Sequence, residues 1–186
     1  QITIEQWKQV AALDIAGIFS EPTTMRVYPN GDLAGSVVGY IGAEGHGLGG
    51  LEYSLDENLA GVDGSTTGEI VHGHFIPASE RNRVDAVNGA TVRLTIDQDV
   101  QALAERTLAR QIKKSGAESG EVIVMDPKTG DIIAMATYPT FDPNKPLSVS
   151  EYRRRNLAVG DVFEPGSTSK VMTIAESPSS AVPSTR

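Results

Sequence analysis

The spacing of hydrophobic positions along the chain changes near residue 90. Before that point, short apolar runs such as VVGYI alternate with Gly- and Pro-rich stretches such as YPNGD and GAEGHGLGG. This pattern predicts a loop-rich, β-leaning region with little helix. The exception is residues 3–13, where apolar positions recur at helical spacing and Thr3 and Gln6 fit a capping box. Beyond residue 90 the pattern becomes regular, so we expect a domain boundary there.

Longer strands and helices are predicted after the boundary. Residues 91–96 (TVRLTI) alternate and are β-branched, which predicts a strand. Either Asp97 alone, or Thr95 with Gln98, caps the helix that follows, and Gly116 suits its C-terminal end. The apolar face of this helix is predicted to consist of Val100, Leu103, Ala104, Leu108 and Ile112.

The stretch EVIVMDPKTGDIIAMAT predicts a β-hairpin. Two almost continuous apolar strands, 121–126 and 131–137, flank a turn in which Pro127 presets φ and Gly130 can take a left-handed conformation. Strands this apolar are expected to be central in a sheet that is covered on both faces. An apolar edge of this hairpin that lacks a partner strand is expected to lead to dimerisation, aggregation or strand borrowing.

Composition excludes several classes of function. The chain has 186 residues and a formal net charge of −8, whereas binding to nucleic acid requires a basic surface, so no nucleic-acid partner is expected. The chain contains no cysteine, which excludes disulfides and thiol chemistry. No apolar run approaches the ~18 residues that a membrane-spanning helix needs.

The strongest candidate for chemistry is the stretch FEPGSTSK, in which Ser167 precedes Lys170 by three positions. Pro165 and Gly166 are expected to open a helix, so that Ser167 and Lys170 share a face of its first turn. A lysine can act as the base that activates a serine nucleophile, and a helix N-terminus favours the developing anion. The plainer interpretation is a capping serine beside a solvated lysine, because roughly one S-x-x-K is expected by chance in a chain of this length.

Other polar residues are weaker candidates. His72 and His74 alternate on a presumed strand, with His46 elsewhere, but no carboxylate or cysteine pattern completes a metal site. Exposed polar strand residues are the simpler interpretation of the two histidines. The run Arg153-Arg154-Arg155 is either a solvated helix face or a patch that attracts an acidic substrate or a lipid headgroup.

Five longer blocks occur in a characteristic order between about residues 24 and 176: RVYPNGDLAGSVVGYIG, GLGGLEYSLDENLAGVDG, LTIDQDVQALAE, GEVIVMDPKTGDIIAMATYPTFDPN and RRRNLAVGDVFEPGSTSK. Together they resemble the class B penicillin-binding proteins, the monofunctional D,D-transpeptidases that cross-link peptidoglycan. The first two blocks resemble motifs of the family's non-catalytic pedestal module and contain Arg26 and Glu52. These two charged residues stand among Gly, Pro and apolar neighbours, so we expect a structural ion pair between them. The last block resembles the acylation motif of the transpeptidase domain.

The resemblance implies an α+β fold with two parts. A loop-rich, β-leaning pedestal module of the dimerisation type would occupy residues 1–90. The first strands and helices of a transpeptidase domain, with an incomplete antiparallel sheet, would occupy 91–176. The Pro- and Ser-rich composition of 177–186 predicts a disordered tail or a cloning artefact there. Ser167 would attack the penultimate D-Ala carbonyl of a stem peptide, with Lys170 as base, and β-lactams would acylate the same serine. No cofactor or metal is implied.

The resemblance also implies partners and a location. Stem peptides ending in D-Ala-D-Ala and β-lactams bind intact members, and cell-division proteins and a lipid II polymerase are expected partners. The family is anchored by a single N-terminal transmembrane helix, which we expect upstream of Gln1, with this region on the extracytoplasmic side of the cell membrane. The septal branch of the family is the closer match, and the elongation branch is the alternative.

Departures from the family pattern limit what the chain can do alone. Its one K-T-G, Lys128-Thr129-Gly130, precedes the serine and fills a predicted turn, so it is not expected to be catalytic. The family's S-x-N motif is absent from the sequence. We therefore expect an N-terminal fragment that does not turn over by itself. The alternative function is a non-catalytic scaffold that binds cell-division partners, and a serine β-lactamase or β-lactam sensor is a third.

Overall fold

The computed structural model describes residues 2–21, 23–71, 74–162 and 164–176. Helices and short antiparallel strands are mixed along the chain, in agreement with the predicted α+β class. The N-terminal half contains α1 (Ile4–Ala11), α2 (Gly35–Val38), β1 (Tyr40–Ile41), β2 (Gly47–Gly49), α3 (Gly50–Ser54), α4 (Asp56–Leu59), β3 (Ser65–Thr67), β4 (Ile70–Val71), β5 (His74–Phe75) and β6 (Arg81–Val84). The C-terminal half contains α5 (Gln98–Ser115), β7 (Gly120–Met125), β8 (Ile132–Tyr138), α6 (Glu151–Arg154), α7 (Leu157–Gly160) and α8 (Lys170–Glu176).

The N-terminal half is built from short elements, as its Gly- and Pro-rich sequence predicts. Its strands pair as separate two-stranded antiparallel sheets, β1 with β2, β3 with β6 and β4 with β5. Helix α1 confirms the predicted capping box, because Thr3 Oγ1 accepts from the Gln6 N–H at 3.2 Å and Gln6 Oε1 accepts from the Thr3 N–H at 2.9 Å. Among the described residues, no helix combines the length and the apolar character needed to cross a bilayer.

Asp97, one of the two predicted caps, is the N-cap of helix α5. The Asp97 carboxylate accepts from the backbone N–H groups of Asp99 and Val100, each at 3.0 Å, which satisfies two free donors of the first turn. The helix ends at Gly116, whose φ of +71° is a left-handed conformation that glycine adopts without strain. Local sequence therefore determines both ends of the longest helix described.

The main hydrophobic core lies between α5 and β8. It consists of Ala104, Leu108, Ile112, Ala134 and Ala136. Gln101 is also buried on this face of α5, with 1% of its surface exposed. The predicted placement of Leu103 on the same face is wrong, since Leu103 is 57% exposed. Successive helical positions are about 100° apart, so residue 103 points well away from the stripe through 101, 104, 108 and 112.

The predicted hairpin is present as β7 and β8, with bounds shifted by one residue. Gly130, with φ of +82°, closes its turn by donating its N–H to the Asp126 carbonyl at 2.8 Å. The expected central position is wrong for the described residues, because β7 and β8 form a two-stranded sheet. Its cover is partial: α5 packs on one face, and on the other face Thr137 of β8 is buried against Ser36. The exposed apolar side chains of β7 are Ile123, Val124 and Met125. This exposure agrees with the expected apolar edge, and its effect on association stays a prediction.

The predicted strand over residues 91–96 is not formed. This segment runs beside β8 but makes few ladder bonds with it: Thr95 Oγ1 donates to the Ile132 carbonyl at 2.7 Å, and the Asp97 N–H donates to the Ile133 carbonyl at 2.9 Å. Because one of these two bonds comes from a side chain, the backbone of TVRLTI is not paired as a strand, even though its sequence alternates. A β-branched sequence alone is a weak determinant of strand structure.

Residues 28–36 dock on the C-terminal half of the chain. The contacts are backbone-to-side-chain or buried side-chain hydrogen bonds between residues far apart in sequence. The pairs are Tyr28 with Asn144, Ala34 with Glu105, and Ser36 with Thr137. Backbone also approaches backbone here, since a Cβ on Gly35 would collide with the Phe141 carbonyl oxygen. The two halves therefore share a packed interface.

Candidate active site

Ser167 lies in a single 3-10 turn, Gly166–Ser169, and Lys170 begins α8 directly after it. Gly166 has a φ of +53°, a left-handed conformation that favours glycine, so the chain can enter the turn immediately after Pro165. At three residues per 3-10 turn, positions 167 and 170 lie one above the other. This geometry agrees with the shared face expected for the two residues, although the first turn is 3-10 and not α.

The surroundings of this turn are open. Ser167 and Lys170 are both exposed. Within the described residues, neither side chain takes part in an ion pair, whereas Ser169 Oγ donates to the Gly166 carbonyl at 2.8 Å. Ser169 is therefore engaged in stabilising the turn, and Ser167 is the more available nucleophile. The described part of the site offers a hydroxyl and an amine at suitable spacing, without walls that would exclude water.

The segment leading to the serine is anchored on the hairpin. Leu157 of α7 is 5% exposed, and α7 packs against both β7 and β8. Asn156 caps α7 by accepting from the Ala158 N–H at 3.1 Å, and its Nδ2 lies 3.4 Å from the Met135 sulfur. These contacts fix the chain ten residues before the candidate nucleophile.

Arg154 and Arg155 of the arginine run make different contacts. Arg154 Nη1 donates to the Pro146 carbonyl at 3.0 Å, and its guanidinium carbon lies 5.4 Å from the centroid of the Tyr40 ring. Arg155 Nη2 lies 3.0 Å from Asp161 Oδ1. A solvated face is therefore the wrong interpretation for Arg154, whereas Arg155 is exposed, with 49% of its side chain accessible, as a solvated face predicts. Sequence reasoning missed the role of Arg154 because no local pattern indicates a contact with Tyr40, 114 positions away.

The expected ion pair of Arg26 and Glu52 is present. Arg26 Nε lies 2.8 Å from Glu52 Oε1, with 46% of the arginine side chain and 5% of the glutamate side chain exposed. The Tyr28 hydroxyl is buried nearby without a partner in hydrogen-bonding geometry among the described residues. Burial, and secondly the negative charge of Glu52, raises the pKa of Tyr28 to about 12. This cluster organises structure and contains no group poised for catalysis.

A cleft of about 480 Å³ opens beside the ion pair. It is lined by Arg26, Val38, Leu51, Glu52, Leu55, Leu59, Gly89, Ala90, Thr91, Val92 and Leu94. Most of these side chains are apolar, and none of them belongs to the turn that carries Ser167. The cleft is therefore separate from the candidate nucleophile.

The predicted histidine candidates do not form a described metal site. His72 lies outside the described residues, and so does the side chain of His74. His46 Nδ1 lies 3.0 Å from Asp56 Oδ2, and Asp56 Oδ1 accepts from the Gly47 N–H at 2.8 Å. The bond from Gly47 first, and that from His46 second, holds the pKa of Asp56 below its usual value. Among the described residues there is no cluster of three side chains suited to a metal ion.

The K-T-G tripeptide fills the hairpin turn. The Lys128 N–H donates to Asp126 Oδ1 at 2.8 Å, and Thr129 Oγ1 donates to Asp131 Oδ2 at 2.9 Å. Both contacts are local and typical of turns that begin with aspartate. The tripeptide is therefore explained by the turn itself.

Family models match both halves of the chain. Residues 1–94 match the penicillin-binding protein dimerisation domain, and residues 120–177 match the penicillin-binding protein transpeptidase domain. Penicillin-binding protein PbpB of Mycolicibacterium smegmatis is 46% identical over 158 residues, which are 84% of this chain and 24% of that protein. Peptidoglycan D,D-transpeptidase FtsI of Escherichia coli is 31% identical over 178 residues, 94% of this chain and 29% of that protein. The chain thus spans about a quarter of the length of the curated relatives it matches.

Solved structures give the same assignment. Penicillin binding protein 3 of Mycobacterium tuberculosis aligns with a TM-score of 0.65 and 40% identity, covering 79% of this chain and 30% of that one. A peptidoglycan synthetase from Bifidobacterium adolescentis aligns with a TM-score of 0.69 and 34% identity, covering 94% of this chain and 32% of that one. The chain belongs to the class B penicillin-binding proteins.

Proposed function

We propose that the chain is the N-terminal part of a peptidoglycan D,D-transpeptidase in which Ser167 is the acylated nucleophile and Lys170 is its base. The observation that carries this proposal is the position of the two residues, one above the other on the exposed turn that opens α8. The turn lies within the stretch that matches the transpeptidase family. The spacing suits proton transfer from the hydroxyl to the amine during attack.

The chemistry follows from these two groups. Ser167 Oγ attacks the penultimate D-Ala carbonyl of a stem peptide while Lys170 Nζ, in its neutral form, accepts the hydroxyl proton. The tetrahedral intermediate collapses, the peptide C–N bond breaks, and the terminal D-Ala leaves after its nitrogen receives the proton. The amine of a neighbouring stem then attacks the acyl-enzyme and forms the cross-link. The backbone N–H of Ser167 supplies one donor to the oxyanion.

The described residues supply only part of this machinery. The sequence has no S-x-N, and its one K-T-G is in the hairpin turn. Preorganised donors are large contributors to catalysis, and removing one costs about 3–4 kcal/mol in other serine enzymes. We therefore expect the chain to become competent when it is joined to the remaining portion of its relatives, and not alone.

We extend the proposal to ligands, partners and location. Penicillin binding protein 3 of M. tuberculosis has been solved in complexes with aztreonam and with ampicillin, so β-lactams are the ligands we propose for Ser167. We propose a role in septal cell-wall synthesis with cell-division proteins and a lipid II polymerase as partners. The region would act on the extracytoplasmic side of a single-pass anchor. No cofactor is needed for the reaction.

We also propose a second function for residues 1–90, as a pedestal that binds partner proteins. The observation that favours it is the exposure of large apolar side chains near the N-terminus, including Ile4 at 71%, Leu13 at 66% and Phe19 at 64%. The proposed division into residues 1–90 and 91–176 is supported by the ranges of the two family matches, 1–94 and 120–177. Because residues 28–36 pack on the C-terminal half, partner binding is best tested on the whole chain.

A chimera tests the catalytic proposal. Residues 1–176 replace the corresponding stretch of the M. smegmatis PbpB, and release of D-Ala from a stem peptide is measured. We expect release to be lost in Ser167→Ala and Lys170→Ala and kept in Thr168→Val, which removes an exposed hydroxyl from the same turn. Release that persists in Ser167→Ala would refute the assignment of the nucleophile.

A further inference from the structure

Tyr40 in β1 connects the N-terminal half to the segment that leads to Ser167. Its ring lies against the guanidinium of Arg154, with 5.4 Å between Arg154 Cζ and the ring centroid. The same ring meets Phe141 edge-to-face, with 5.8 Å between centroids and an interplanar angle of 88°. Phe141 is 3% exposed, so the three side chains form a packed cluster and not a loose surface contact.

Arg154 holds the loop on the other side of this cluster. Its Nη1 donates to the carbonyls of Pro146 at 3.0 Å and Val149 at 3.5 Å. Its Nε is buried and has no hydrogen-bond acceptor among the described residues. The aromatic face of Tyr40 therefore stabilises the part of the guanidinium that hydrogen bonds do not. A lysine could not combine a planar stacking surface with this pair of carbonyl contacts.

The turn that carries the candidate nucleophile makes little use of buried contacts. Between residues 164 and 175, every side chain except that of Ser169 is exposed. The position of the turn therefore depends on the chain that precedes it. That chain is held against the rest of the molecule through Arg154 in α6 and Leu157 in α7.

We propose that Tyr40 and Arg154 are positioning residues for Ser167. Their stack fixes residues 146–154 against β1, and it thereby sets the direction in which the chain enters the Gly166–Ser169 turn. This inference rests on the proposed nucleophilic role of Ser167. It makes the reactivity at that position dependent on the N-terminal half.

Because the chain has no cysteine, two engineered thiols can be labelled without background. Ser167→Cys and Arg110→Cys, the latter on an exposed position of α5, are combined in the full 186-residue chain and carry spin labels. Pulsed electron paramagnetic resonance then measures the distribution of distances between the two spin labels, one on the turn and one on α5. We expect a single narrow distribution in this background and in Tyr40→Phe, which retains the aromatic face.

Tyr40→Ala and Arg154→Lys should each lose the single narrow distance. Tyr53→Ala, which removes a 66% exposed tyrosine from α3, is the matched control and should keep it. An unchanged distribution in both test variants would overturn the inference, and so would a broad distribution in the background itself. If Tyr40→Ala fails to fold by circular dichroism, Arg154→Lys, which keeps the positive charge and most of the chain length, decides the outcome.

A second readout separates positioning from general stability. In the Ser167→Cys protein, the alkylation rate of the introduced thiol is measured as a function of pH. Adding Tyr40→Ala should shift this pH profile, whereas adding Tyr40→Phe should leave it as in Ser167→Cys alone. An alkylation profile in Tyr40→Ala that matches the parent, despite a lower free energy of unfolding, would reduce Tyr40 to a structural role. Failure of the chimera to release D-Ala would count against the proposed function, and it would leave the distance and alkylation results intact.

Discussion

Ser36 and Thr137 share a hydrogen bond of 2.8 Å across 101 positions of the chain, and each residue is 4% exposed. This bond joins α2 of the N-terminal half to β8, the strand that carries the core. A buried hydroxyl that loses its partner retains the cost of its desolvation. The interface between the two halves therefore contains a polar contact whose loss is costly when only one of the two hydroxyl groups is removed.

The first prediction concerns this pair. Thr137→Val should lower the free energy of unfolding by about 1–3 kcal/mol, because it leaves the Ser36 hydroxyl buried without a partner. The double variant Ser36→Ala with Thr137→Val should cost less than the sum of the two single changes. Urea unfolding of the four proteins measures the coupling. Additive costs would show that the two halves are not docked through this bond in solution.

Gln101 gives a second prediction. Its side chain binds the backbone of Met135 in both directions, accepting from the N–H at 2.7 Å and donating to the carbonyl at 2.9 Å. Gln101→Ala removes both bonds in the core, so we expect a loss of about 2–4 kcal/mol in the free energy of unfolding. Gln111→Ala, on the exposed face of the same helix, is the control and should change stability by about 0.5 kcal/mol or less. Equal effects of the two changes would contradict the buried role of Gln101.

A third prediction follows from the asymmetric exposure of the Arg26–Glu52 pair. Arg26→Gln leaves a buried carboxylate without its counter-charge and should destabilise by about 1–3 kcal/mol, less than the ~3–5 kcal/mol of a fully buried pair. Glu52→Gln leaves a half-exposed arginine that water can solvate, so its cost should be smaller, about 1 kcal/mol. Denaturant unfolding at neutral pH compares the two variants. A larger loss in Glu52→Gln would reverse the assignment of the buried partner.

A fourth prediction is a dependence of stability on alkaline pH. The folded pKa of Tyr28, about 12, lies above its ordinary value of 10.0, so the neutral phenol is favoured by folding. The corresponding stability is complete below pH 10 and is lost as pH rises through about 12. Tyr28→Phe should flatten this loss, whereas Tyr53→Phe, at an exposed tyrosine, should not. Parallel pH profiles for Tyr28→Phe and the parent chain would show that Tyr28 is not the responsible group.

Elements with local signals could be predicted from the sequence. Asp97 and Gly116 determine the ends of α5, and the DPKTG turn determines the hairpin, because each signal acts within a few residues. The strand expected over 91–96 failed, since a strand exists only when a partner offers a ladder of backbone bonds. The burial of Gln101 was likewise missed, because it depends on a hydrogen-bond partner 34 positions away that no local sequence pattern indicates.

The candidate site shows the same division. Ser167 and Lys170 could be identified from the sequence because they lie in the longer block RRRNLAVGDVFEPGSTSK, whereas their spacing alone is expected about once by chance. The contact of Arg154 with Tyr40 depends on how two distant segments meet, and the sequence pattern of RRRN indicates only a charged helix face. Groups that would enclose the serine are not among the described residues, so their positions could not be derived from this chain.

The measurement that tests the central claim most directly is the mass of the chimera with PbpB after incubation with a β-lactam. We predict one adduct per chain, located by peptide mapping on the peptide that contains Ser167, absent from Ser167→Ala and present in Thr168→Val. The unmodified PbpB, incubated in parallel, confirms that the reagent is active. An adduct that survives Ser167→Ala, or a chimera left unmodified while PbpB is acylated, would contradict the assignment of Ser167 as the nucleophile.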